Sequence, residues 1–517
     1  MIDNACNLSK TKSGGLPREA RGTGLFAYTP PPRGAWGGVS LLSLPVRLAG
    51  LPVRLAGLTE VRTHSFLCET RHAFLSMVRV FINAMVRANA MVRVLTNHHL
   101  SSQIFSYTFA LVRVFTNHKT SQNFGLCGHR PKHGTSILFV PICLSFLFAT
   151  TQAQPSKVIV GAEQLEMLLP LLKEKRVGLV VNNTSFVKRT HLADTLFASG
   201  IQIKKIFGPE HGFRGDAADG DHVNDAVDAK TGAPVVSLYG KNNKPTAEQL
   251  SDLDIVIFDI QDVGARFYTY ISTLHLVMEA CAENGKKLII LDRPNPNGSY
   301  VDGPIRQPEL KSFVGMHAIP ITHGMTVGEF AQMLNGEGWL TGMKKCELHI
   351  IKIKNWKHTD NYSLPIRPSP NLPNDQAIRL YPSLCLFEGT VISVGRGTPT
   401  PFQIIGSPEL KEFSFSFTPV PIKGYSTEPP QKDKLCFGID LRSVTPARKV
   451  DLQYLLMLYE KYPDKEKFFL PYFDKLAGTT KLKQQIKDGF TEAQIRKSWK
   501  PGLDKFKVLR KKYLIYN

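Results

Sequence analysis

The chain has no CxxC pair anywhere in its 517 residues, and its eight cysteines are scattered. That excludes the common zinc and redox motifs. No GxGxxG and no GxxxxGK[ST] occurs, so neither a dinucleotide nor a phosphate-loop cofactor is expected. Acidic residues are nearly missing from the first 157 positions. Only Asp3, Glu19, Glu60 and Glu69 stand there against seventeen Lys and Arg, a net of +13. The remaining residues hold 47 basic and 39 acidic side chains, a net of +8. Most of the formal +21 therefore belongs to the N-terminal segment and gives no support to a nucleic-acid partner for the whole chain.

That segment does not read as an evolved domain. LPVRLAG stands twice in tandem at 44–50 and 51–57, and MVRVFIN (77–83), MVRVLTN (91–97) and LVRVFTN (111–117) are variants of one unit. The units are too short and too irregularly spaced for a solenoid. Residues 1–135 read as disordered, and as sequence translated upstream of a mis-assigned start. The functional alternative is a basic arm for nucleic acid or membrane. Residues 136–153 then read as a secretory signal. Arg130 and Lys132 precede an apolar run of fourteen at 136–149, too short to span comfortably, and Thr151-Gln152-Ala153 suits cleavage before Gln154. No lipobox cysteine follows. The expectation is a periplasmic or secreted soluble protein, with no stable membrane insertion once the signal is removed.

From Val158 the texture becomes strand–helix alternation. Strands are expected at 177–181, 203–207, 254–259 and 287–291, and helices at 162–172, 192–199 and 270–284. Near-continuous apolar strands between helices mean a parallel sheet covered on both faces. The predicted class is α/β, with a Rossmann-like parallel-sheet domain over 157–325. A smaller α+β auxiliary domain is expected over 326–517, with a strand at 348–353, short strands and glycine turns at 387–410, and a basic C-terminal helix from Glu492. Cys281 sits in a helical pattern and reads as core.

Three strands end in polar clusters. IFGPEHGFRG (206–215) carries Glu210, His211 and Arg214. The strand ending at Asp259 continues to Asp262, Arg266 and Tyr268. The next runs into Asp292-Arg293-Pro294-Asn295. In open α/β sheets the carboxyl edge is where ligands bind. Glu210 and His211 suit a general acid/base or a substrate ligand, against a loop ion pair. Arg266 either pairs with Asp259 and Asp262 or binds an anion. The two prolines around Asn295 make a rigid loop. Glu388 and Arg396 read either as inter-domain contacts or as cleft residues. His222 among Asp216, Asp219, Asp221 and Asp225 lacks the glycine and glutamate of an EF-hand and reads as a solvated acidic loop, so no metal is expected.

Seven motifs then stand in order: GPEHGFRG (208–215), DIQDVGARFYTY (259–270), LDRPNPNG (291–298), PSPNLP (368–373), YPSLCLFEGT (381–390), SVGRGTPTPFQ (393–403) and FDKLAGT (473–479). Over 157–517 the chain resembles the exo-β-N-acetylmuramidases of the NamZ type, glycoside hydrolases once catalogued as a domain of unknown function. It departs from that pattern at Pro399, where Asp is expected, and at Ser383, where Gly is expected. The resemblance implies a cleft between the two domains and removal of N-acetylmuramic acid from the non-reducing ends of peptidoglycan fragments. For that chemistry Glu210, Asp259 and Glu388 are the catalytic candidates. His211, Arg214, Asp262, Arg266, Tyr268, Asp292, Asn295 and Arg396 are the substrate-binding candidates. Glycoside cleavage needs a carboxylic acid to protonate the leaving oxygen and a second group facing the oxocarbenium-like centre. Glu210, in an apolar strand-end turn, suits the acid. Asp259 or Asp262 suits orientation of the acetamide, and Arg266 ranks first as reader of the lactyl carboxylate. The partners expected are muramic acid glycosides, without cofactor. A cell-wall-sugar-binding module and a metal-dependent hydrolase on the 216–225 loop are the rival classes.

Overall fold

A computed structural model describes residues 156–517 except 211, 215–225, 241 and 517. All described residues belong to one contact unit. The expectations on 1–135 and on the signal segment fall outside them, as do His211 and the acidic loop.

Seven strands form the main sheet: β1 (Arg176–Val181), β4 (Gln202–Gly208), β5 (Ala226–Val227), β6 (Pro234–Ser237), β7 (Ile255–Asp259), β8 (Lys287–Leu291) and β9 (Leu348–Ile351). The two-residue strands β2 (Phe186–Val187) and β3 (Thr190–His191) form a separate hairpin. The main sheet runs β5-β6-β4-β1-β7-β8-β9, and every neighbouring pair is parallel except β5 with β6. β7 is buried along its whole length, which is why its sequence is an unbroken apolar run. Five helices belong to this half: α1 (Leu165–Leu172), α2 (Leu192–Ala198), α3 (Ala247–Leu250), α4 (Tyr270–Glu283) and α5 (Val327–Gly336). Thr246 and Thr326 each close a capping box at the start of α3 and α5, satisfying backbone donors that the helix leaves open. In α4 eleven of fourteen residues are buried, Cys281 among them. A helix apolar on most sides needs cover on both.

The cover is the C-terminal half. It comprises α6 (Asp375–Leu384), a 3₁₀ turn at Cys385–Gly389, and the antiparallel strands β10 (Ile404–Ser407), β11 (Phe415–Phe417) and β12 (Cys436–Asp440). β12 lies in the middle. Five helices complete it: α7 (Gln453–Lys461), α8 (Lys465–Phe468), α9 (Phe473–Ala477), α10 (Lys481–Lys487) and α11 (Glu492–Lys511). One apolar cluster holds Phe258 of β7, Leu274 of α4, Phe330 of α5, Leu384 of α6, Phe387, Phe402 and Phe473 together. A second, smaller cluster fills the opposite face, with Leu179, Ile257 and Ile289 packed beside Leu168 and Leu196. The two halves thus share a core.

Two expectations need correction. The strand at 348–353 was assigned to the auxiliary domain, yet β9 pairs in parallel with β8, Ile290 opposite Ile350. The parallel sheet therefore extends past residue 325. The run 387–410 reads as short strands and glycine turns, and the turns are found but most of the strands are not. Among the described residues it is a 3₁₀ turn and glycine bends, with β10 its one named strand. Its β-branched and aromatic residues (Ile392, Val394, Phe402) are buried in the shared core rather than paired in a ladder.

Candidate active site

Chain order reverses at the centre of the sheet: β1 leads outward to β4 and β6, and the chain then returns to β7 beside β1. Such a switch point opens a crevice at the carboxyl ends of the strands. Here the C-terminal half roofs it into a cavity of about 380 Å³. Glu210, two residues past β4, and the Phe267–Tyr270 turn after β7 supply the sheet side. Ser369, Asn371, Tyr381, Cys385, Glu388, Arg396 and Tyr472 supply the other.

Glu210 is 8 % exposed. Its Oε2 accepts from Thr269 Oγ1 at 3.1 Å, while Oε1 has no partner among the described residues. The Tyr270 hydroxyl donates to the Glu210 carbonyl at 3.4 Å and is itself held by Asn182 Nδ2 at 2.9 Å. Glu388 is occupied on both oxygens: Arg396 Nε donates to Oε1 at 2.5 Å, and Cys385 Sγ to Oε2 at 3.4 Å. Arg396 also lies over the Phe402 ring at 5.3 Å. Burial, with Glu388 beside it, pushes the Cys385 thiol well up, so it stays protonated. Burial raises the Tyr268 and Tyr381 phenols in the same way. Two carboxylates, one with an uncommitted oxygen and one fixed by a cation, can divide acid and electrostatic work between them.

The N-terminal profile of "Exo-beta-N-acetylmuramidase NamZ" matches residues 177–376, and the C-terminal profile matches 379–516. The chain belongs to the NamZ family. It is a glycoside hydrolase of that family. The peptidoglycan β-N-acetylmuramidase NamZ of Bacillus subtilis (strain 168) is 41 % identical over 400 residues, covering 70 % of this chain and 92 % of that one. Two DUF1343 family proteins from Bacteroides fragilis NCTC 9343 have solved structures similar to this one. One superposes with a TM-score of 0.66 at 45 % identity, the other with 0.60 at 30 %. Each covers 70 % of this chain, and 99 % of the solved chain is covered in return.

Of the residues nominated from the sequence, Glu210, Tyr268, Glu388 and Arg396 line the cavity. The Tyr268 hydroxyl is committed to the Pro368 carbonyl at 2.7 Å. The others that the structure describes stand elsewhere. Asp259 is fully buried in a fork with Arg293, Nε to Oδ1 at 2.6 Å and Nη2 to Oδ2 at 2.9 Å. It is therefore not placed to orient an acetamide. Asp262 accepts from the Gly264 amide at 2.6 Å and lies 3.7 Å from His323. Neither acid meets Arg266. That guanidinium is buried and donates to four backbone carbonyls, Pro304 and Ile319 at 2.8 Å each, Leu476 at 2.9 Å and Ala477 at 2.8 Å. Its burial pulls the pKa down to about 9. Arg266 consequently does not face the cavity as an anion reader.

Arg214 is held between Asp194 and Asp228, 2.8 Å from each. Asp292 accepts from Thr326 Oγ1 and the Tyr516 hydroxyl, each at 2.7 Å, and from the Gly328 amide at 2.9 Å. Asn295 ties its loop to the Met325 carbonyl at 2.9 Å. These residues build the strand-end edge on which the cavity rests. Thr269, Ser369, Asn371, Tyr381, Cys385 and Tyr472 line the cavity without having been singled out. Five of the six lie inside family motifs, so the motifs carried a signal that charge and residue type alone did not.

Proposed function

We propose that this chain is an exo-β-N-acetylmuramidase that removes N-acetylmuramic acid from the non-reducing end of peptidoglycan fragments, working after export. The observation that carries the reading is the meeting of Glu210 and Glu388 in one cavity, each from a different half of the family match. The cavity of about 380 Å³ is at the small end of the roughly 300–1,000 Å³ usual for ligand pockets, which suits one terminal sugar. The Bacillus subtilis relative bears the name of this activity.

The division of labour follows from the contacts. Glu210 is the general acid: Oε1 carries the proton and delivers it to the leaving oxygen, while Thr269 fixes Oε2. Glu388, held by Arg396 and Cys385, supplies fixed negative charge to the oxocarbenium-like centre. Arg396 is the one cavity-lining arginine of the three nominated. A guanidinium has five N–H donors, so it can hold Glu388 and the lactyl carboxylate together.

Export is supported by the apolar run at 136–149 and the Thr151-Gln152-Ala153 site. The activity test is incubation with a chromogenic glycoside of N-acetylmuramic acid, with and without EDTA. Chromophore release that survives chelation agrees. Release that requires an added divalent ion favours the metal-dependent rival, and binding without release favours the binding module. For export, the N-terminus of the protein outside the cytoplasm is expected at Gln154; finding the chain only inside cells contradicts it.

A further inference from the structure

We propose that Tyr472 is a catalytic residue of this site, its hydroxyl donating a hydrogen bond to an uncharged oxygen of the bound sugar between Glu210 and Glu388. This rests on the functional reading above.

Four tyrosines line the cavity: Tyr268, Tyr270, Tyr381 and Tyr472. Three have committed hydroxyls. Tyr268 donates to the Pro368 carbonyl. Tyr270 lies between Asn182 and the Glu210 carbonyl. Tyr381 shares a hydrogen bond with Cys385. The Tyr472 hydroxyl has no hydrogen-bond partner among the described residues, although the side chain is half-buried. A phenol in a cavity wall that bonds none of the described residues can bond what enters.

Its surroundings say what that is. Tyr472 lies within electrostatic reach of Cys385, Glu388 and Glu210 together. Tyr472, Glu210 and Glu388 line the same cavity. Burial first, then those acidic neighbours, hold the phenol protonated far above neutral pH. It is thus a donor and not a nucleophile. Arg396 takes the lactyl carboxylate, so the acceptor left for this donor is a hydroxyl or the glycosidic oxygen of the sugar. No proton leaves the tyrosine; the contact is a hydrogen bond only.

The placement is rigid, as a positioned donor needs. Tyr472 occupies the position before α9, and Arg266 clamps the far end of that helix by donating to the Leu476 and Ala477 carbonyls. Gly478, at φ 71°, lets the chain pass: a Cβ there would stand 2.5 Å from Arg266 Nη2. The buried guanidinium without an acid partner is explained as the bolt that fixes this wall to the sheet.

The test is Tyr472→Phe in the full chain, beside the wild type. Because the hydroxyl bonds none of the described residues, the thermal midpoint should be unchanged. Turnover efficiency on the chromogenic muramide should fall about ten- to a hundredfold, the worth of one or two tenfold steps of 1.4 kcal/mol. Calorimetric affinity for free N-acetylmuramic acid should also weaken, and the alkaline limb of the pH profile should stay where it is in the wild type. Efficiency and affinity within twofold of wild type would overturn the assignment. So would a lowered midpoint accounting for the loss, since the hydroxyl would then serve the fold. If the wild type itself released nothing, the muramidase reading would fail, while the calorimetry would still decide the role of Tyr472.

Discussion

Glu210 and Glu388 differ in what already touches them, and that difference assigns their roles. Glu210→Gln keeps the Thr269 contact but cannot donate a proton. Turnover of the muramide should drop by roughly two to four orders of magnitude with little change in stability. Arg396→Ala should lose a charge-assisted contact of about 1.5–3 kcal/mol with muramic acid glycosides and much less with the N-acetylglucosamine analogue. Equal losses on both sugars would mean that Arg396 serves only Glu388. A third residue reports on pH. Burial pushes the Asp292 carboxyl up to about 6 from an ordinary 3.8, and no cation among the described residues is bonded to it. The folded state therefore binds this proton more tightly than the unfolded chain does. Stability falls as pH rises from about 4 to about 6 and stays lowered above that. Measured by urea unfolding, the wild type should lose on the order of 3 kcal/mol relative to Asp292→Asn across that window. At this scale the sequence made the strand-end acids visible but not their partners. Arg266 and Arg293 both follow strand ends, and nothing in the spacing says that Asp259 takes Arg293 and leaves Arg266 to carbonyls.

The strands and most long helices are legible because each carries its own period: continuous apolar runs for β7 and β8, and apolar helical spacing for α4. The cavity roof was harder to read. The short helix α9 and the 3₁₀ turn at Cys385–Gly389 are one to two turns long, and tertiary contacts, not propensity, hold them in place. β9 was legible as a strand, but its membership of the parallel sheet is a long-range pairing. Arg266 is the contact that makes α9 part of the site. Arg266→Met would orphan four backbone carbonyls, those of Pro304, Ile319, Leu476 and Ala477. It should destabilise the protein by at least about 2 kcal/mol in urea unfolding and lower activity even where the variant remains folded. A variant as stable as wild type would show that the clamp is dispensable.

Across the whole molecule, one apolar core joins the sheet to the C-terminal half. A shared core of this kind disfavours large hinge motion, so the cavity is largely preformed. The described residues form a single unit. A chain beginning at Gln154 should therefore fold and turn over the muramide as the full chain does; an insoluble or inactive product would show that the N-terminal segment is needed. Charge is uneven here too. Residues 453–517 hold fifteen Lys and Arg against seven acids, the whole +8 of the chain after residue 157. The cavity carboxylates and this basic surplus thus belong to different parts of the sequence.

The most direct test of the central claim compares wild type and Glu210→Gln on chromogenic β-glycosides of N-acetylmuramic acid and N-acetylglucosamine. The expected result is steady chromophore release by the wild type from the muramide, little from the glucosaminide, and a collapse of the muramide rate in the variant at unchanged thermal midpoint. Release by the variant at the wild-type rate, or no release by the wild type from either sugar, would contradict it.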